Sequence, residues 1–141
     1  MKFWLATLTV IAALAAWGGT IDRDRARHDR ELECEGLVAE GAPWRWAREL
    51  GVEYDSLAVT CAMPWGEDLA GGCWLLQGDD GERLAHIWID PQTEDYDLEL
   101  VLIHEMVHLA DRTVGRDRPD DDVHAEAVRR WRAGRPWERG S

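Results

Sequence analysis

The sequence predicts an α+β domain in which a small antiparallel sheet packs beside helices. Three observations carry this. Residues 56–90 hold short apolar runs cut by glycine and proline, residues 98–111 repeat apolar side chains at helical spacing, and a final block begins in aspartates and ends in arginines. At 141 residues the chain has the length of one domain.

Lys2 precedes an uncharged run, Phe3–Thr20, that Asp22-Arg23-Asp24-Arg25 closes. The run is just long enough to cross a bilayer, and it has a basic start and the small-residue pattern Ala13-Leu14-Ala15. Residues 1–21 are therefore expected to be a signal peptide or a membrane anchor, which makes the protein exported or membrane-anchored. The alternative is a buried N-terminal helix in a cytoplasmic protein. Residues 22–42 read as a linker or exposed helix, because acids alternate with arginines over 22–35.

The domain proper is expected over 43–134. Pro43 opens a short helix through Trp44, Ala47 and Leu50, and Gly51 stops it. Ser56–Met63, Gly72–Leu76 and Leu84–Asp90 read as strands, the last two joined by a turn centred on Asp80-Gly81. Leu84–Asp90 places Ile87 and Ile89 on one face, His86 and Trp88 on the other. Asp90-Pro91 breaks that strand, and Thr93, Asp95 and Asp97 offer caps to a helix over Leu98–Asp111. The last helix spans Val123–Ala133, with Asp120–Asp122 before it and Gly134 and Pro136 after it. Residues 135–141 read as a tail.

Acidic residues number 28 against 16 basic, a net charge of −12. The excess is local: 1–30, 31–111 and 112–141 carry +2, −16 and +2. A body at −16 repels phosphate backbones, so nucleic acid is expected to bind weakly or not at all. Any docking would use Arg129, Arg130, Arg132, Arg135 and Arg139, with Trp131 and Trp137 between them. Cys34, Cys61 and Cys73 form no C-x-x-C pair, which excludes a zinc ribbon. They are expected to be reduced and partly buried, or to pair as Cys61–Cys73 in an exported protein.

His104-Glu105-Met106-Val107-His108 is H-E-x-x-H on the strongest helix of the chain. Residues four apart share a helix face, so both imidazoles can reach one metal ion, and Glu105 leans over its open side as a base. A catalytic zinc needs a third protein ligand. The candidates are His124 and Glu126, with His28 and His86 earlier in the chain. His124 is preferred because it sits at the helix start, whereas Glu126 can pair with Arg130 one turn on. Asp111 continues the face of His104 and His108 and is a candidate for orienting an imidazole N–H; a solvated acid at the helix end is the other reading.

From about Leu69 to Trp131 the chain resembles the SprT-like zinc metalloproteases, a zincin-like family. The likeness consists of Ala70-Gly71-Gly72-Cys73, then Ile87-Trp88-Ile89-Asp90-Pro91, then Asp97-Leu98 leading into His104–His108. Asp121, Asp122, His124 and Val128 complete it. The resemblance implies that His104, His108 and His124 bind Zn2+, that Glu105 is the base, and that the strand Leu84–Asp90 pairs with extended substrate. Ala125 stands where the family usually has glycine, and no zinc ribbon follows.

The expected function is that of a zinc metalloendopeptidase acting on protein or peptide substrates, with a zinc-bound water activated by Glu105. The alternative is a membrane-tethered or DNA-associated SprT-like protein with a non-catalytic or crosslink-repair role.

Overall fold

A computed structural model describes residues 24–63, 69–93 and 95–139. Phe3–Thr20, on which the membrane or export assignment rested, lies outside them. That assignment is corrected as follows: among the described residues no helix is long and apolar enough to cross a membrane.

Among the described residues the architecture is α+β, with four helices and a three-stranded mixed sheet. Residues 24–39 form helix α1. Helix α2, Ala42–Leu50, begins after Gly41 and ends at Gly51, both at positive φ, with Pro43 in its first turn. Its buried face is Trp46 and Ala47, and the Trp46 indole N–H donates to Glu99 Oε1 at 3.0 Å.

Strands β1 (Ser56–Thr60), β2 (Gly71–Gln77) and β3 (Arg83–Ile89) lie in the order β1-β3-β2. β2 and β3 form the expected antiparallel hairpin, with Gly81 at φ 84° in its turn. β1, however, pairs with β3 in parallel, from Ser56 against Leu84 to Thr60 against Trp88. The wholly antiparallel sheet is thus corrected to a mixed one. The short turn over residues 78–82 compels antiparallel pairing, whereas the longer path from β1 to β3 runs through β2 on the far side and leaves the direction of β1 free.

Ala85, Ile87 and Ile89 of β3 are buried. The opposite face is aromatic: His86 stacks on Trp88 with centroids 4.0 Å apart, and Trp74 leans on both.

Helix α3, Leu98–Thr113, is capped by Asp97, whose carboxylate accepts from the backbone N–H of Glu99 and Leu100. Leu98, Leu102, Ile103, Met106 and Leu109 are fully buried along it. Helix α4, Asp120–Ala133, packs Val123 and Ala127 against the core. A short 3-10 turn, Pro136–Glu138, follows. The segment read as a tail is docked: Trp137 meets Trp46 edge-to-face at 5.1 Å, and Arg135 pairs with Glu99, Glu40 and Glu138.

The cysteines differ from expectation. Cys34 of α1 and Cys61, just past β1, form a disulfide, and Cys73 is free. Cys61 and Cys73 cannot serve as the pair, because β3 separates the end of β1 from β2, which carries Cys73. Arg30 further ties α1 to the body, donating to the carbonyl oxygens of Pro91, Thr93 and Tyr96.

Candidate metal centre

Helix α3 presents His104 and His108 on one face, and the first turns of α4 present Asp120 and His124, also four residues apart. The two helices pack with these faces opposed. His104 Nε2 and His108 Nε2 are 3.2 Å apart, and Asp120 Oδ1 lies 3.1 Å from the first and 2.9 Å from the second. Three ligating atoms thus converge on one point, and this group can hold a metal ion. Donor atoms around a tetrahedral ion at about 2.0–2.1 Å stand roughly 3.3 Å apart, close to the spacing here.

His124 is in the same cleft but meets the other ring nitrogen of His104: the two Nδ1 atoms are 3.3 Å apart. Tyr96 stands edge-on to its ring. The cleft, of about 490 Å³, is lined by Gly71, Tyr96, His104, Glu105, Asp120 and His124 among others.

Glu105 points from α3 toward β2 and is only 8% exposed. Burial pushes its carboxyl above the ordinary range, and a hydrogen bond from the Cys73 thiol, with the charges of His104 and Arg112, offsets this only in part. Burial and the neighbouring Glu105 carboxylate in turn push the Cys73 thiol up strongly, so it stays protonated as the donor. Arg112 Nη1 closes the arrangement by donating to the Cys73 carbonyl at 2.9 Å. Glycine at 71 is required for this closeness. A Cβ there would come within 2.8 Å of Val101 Cγ1, 3.0 Å of the Trp88 carbonyl oxygen and 3.3 Å of Glu105 Cγ.

Other sequence candidates lie elsewhere. Asp111 does not orient an imidazole: both of its oxygens accept from Arg118, each at 2.9 Å. The same guanidinium donates to Glu126 at 2.8 Å, and Arg129 and Arg130 also face that carboxylate, so Glu126 belongs to an ion-pair cluster rather than to the metal point. His86 is held by Thr60 Oγ1 at 2.7 Å on the aromatic face of the sheet, and His28 is exposed on α1. Sequence reasoning missed Asp120, which read as one of three helix-start charges. The available signal was its position four residues before His124, on the same face.

The Arg118 cluster makes a stability prediction. Burial raises Glu126, but the hydrogen bond and charge of Arg118, with help from Arg130, outweigh it and hold its carboxyl below the ordinary value. Its stabilising contribution is therefore complete above the ordinary carboxylate range and is lost as pH falls through the depressed folded value. Arg118→Ala also leaves buried Asp111 unpaired, and is expected to cost about 2–3 kcal/mol at about pH 7. In urea unfolding the gap from wild type should narrow as pH falls through the depressed folded value of Glu126. A gap independent of pH would refute the ion-pair origin.

Comparison of the chain with protein-family models, with curated proteins and with solved structures returns no match.

Proposed function

We propose that the chain is a zinc-dependent metallopeptidase of zincin-like architecture, in which His104, His108 and His124 hold the ion and Glu105 is the general base. The observation that carries this reading is the convergence of the two α3 imidazoles, with His104 lining a cleft that also contains the buried Glu105 carboxylate. Two or three imidazoles with at most one carboxylate suit zinc, whereas an all-oxygen set would suit magnesium or calcium. Zinc in such a site lowers the pKa of water toward about 7 and polarises a carbonyl.

The chain's own residues supply the rest. Glu105 takes a proton from the attacking water and passes it to the leaving amine. The Cys73 thiol and the close packing of Gly71 fix the carboxylate in place. A structural zinc site has no use for such a base, which favours the catalytic reading.

The expected pairing of substrate with Leu84–Asp90 is corrected, because β3 is the central strand and is paired on both sides. β2 is the edge strand next to Glu105, and its start lines the cleft. We assign substrate pairing to that edge, where an extended peptide would gain main-chain hydrogen bonds.

Of the arginines considered for phosphate contact, Arg129 and Arg130 face Glu126, and Arg135 faces Glu40, Glu99 and Glu138. These pairings favour a peptide substrate over nucleic acid docking.

The purified protein is expected to bind about one zinc per chain and to cleave an unfolded protein substrate. Chelation should abolish cleavage, and zinc, but not magnesium, should restore it. A protein that binds no zinc would refute the proposal. Zinc without cleavage would favour the non-catalytic alternative.

A further inference from the structure

We propose that Arg112 sets substrate specificity by holding a substrate carboxylate about two residues from the bond that is cut. This rests on the metallopeptidase reading above and deepens it. Arg112 follows His108 by four residues, as His108 follows His104, so the three lie along one face of α3. It stands about 6 Å beyond His108 along the helix axis, the span of about two residues of extended peptide. A basic residue in a last helical turn ordinarily serves the helix dipole. Here the side chain crosses to β2 instead, where Nη1 donates to the Cys73 carbonyl at 2.9 Å and reaches Cys73 Sγ at 3.5 Å.

That carbonyl belongs to the open edge of the sheet. At the two ends of β2, the Asp90 N–H donates to the Ala70 carbonyl and the Gly78 N–H to the Glu82 carbonyl. Bonded pairs recur at every second residue of an antiparallel ladder, so Gly72, Trp74 and Leu76 turn their main chain to β3. Gly71, Cys73 and Leu75 turn theirs outward. The guanidinium is thus moored to the edge assigned to substrate, and the second lone pair of the Cys73 carbonyl remains for a peptide N–H. Arg112 is exposed, and among the described residues its Nε and Nη2 make no hydrogen bond and no carboxylate pairs with it. Those are the two nitrogens with which Arg118 grips both oxygens of Asp111. The same fork on Arg112 is open to a carboxylate that the substrate brings, either an acidic side chain or a free C-terminus.

Internally quenched peptides test this with the zinc-loaded protein. One series carries Glu or its neutral isostere Gln about two residues to either side of the cleaved bond, and a second ends there in a free or an amidated C-terminus. Wild type is expected to favour the charged member of one series by about tenfold or more in kcat/KM. The series that responds identifies the source of the carboxylate. The ratio within each pair is the readout, because Arg112 also touches Cys73 and its loss can change absolute rates. Arg112→Gln should bring the ratio to about one, Arg112→Lys should leave an intermediate value, and Arg112→Glu should invert the preference. Added salt should shrink the wild-type ratio with no substitution at all. A wild-type ratio of about one in both series would overturn the proposal and leave the metallopeptidase reading intact. So would a ratio that survives both Arg112→Gln and Arg112→Glu. Cleavage of no peptide by zinc-loaded wild type would overturn both.

Discussion

Glu105→Gln is expected to leave the metal bound and to lower peptide hydrolysis by about 10²–10⁴-fold, the usual contribution of a positioned general base. The amide matches the carboxylate in shape and keeps an oxygen that can accept from the Cys73 thiol. Its neighbours on β2 and α3 therefore need not move, but it has no lone pair basic enough to take a proton from water. Because His104 and His108 are untouched, zinc stoichiometry should equal that of wild type. The check is metal content together with kcat on one preparation. Wild-type kcat in a zinc-loaded Gln variant would exclude Glu105 as the base. Loss of zinc would show instead that the carboxylate supports the ligands.

The second large effect concerns α1. The Cys34–Cys61 bridge joins residues 27 apart in sequence, and a loop of that length restricts the unfolded chain by about 3.5 kcal/mol in the chain-entropy account. Replacing both cysteines by serine is expected to lower stability by roughly that amount and Tm by roughly 10 °C. Cys34 is fully buried, so its hydroxyl replacement adds a desolvation cost, and a Cys34→Ala/Cys61→Ser pair separates the two contributions. The candidate metal centre is built from α3 and α4 and should survive. Unchanged thermal unfolding in both pairs would mean that α1 is held by its other contacts, chiefly Arg30 on the carbonyls after β3.

Local patterns in the sequence anticipated much of this. Pro43 and Gly51 mark α2, Asp97 caps α3, and Asp80-Gly81 makes the β2–β3 hairpin. Each feature acts within a few residues, so the spacing alone reveals it. The His104–Glu105–His108 face is legible for the same reason, since one helical turn decides it. Expectations that required knowing a distant partner fared differently. Asp111 carries the correct period to support an imidazole, yet Arg118, seven residues on and past the end of α3, takes both of its oxygens. Cys61 could be seen to need a partner only once β1 had a direction and α1 a place. Arg135 and Trp137 look like tail residues until Glu99 and Trp46 are set beside them.

The sequence by itself therefore determined the class of the domain, most of its helices and strands, and the face of α3 that carries both imidazoles. Tertiary structure alone decided that β1 runs parallel to β3, that β2 is the strand beside Glu105, and that Asp120 joins the imidazoles. Periodicity states which side of a helix or strand is turned inward. It carries no information on which other element lies across from it, because that pairing is set by chain connectivity and by burial summed over the whole core.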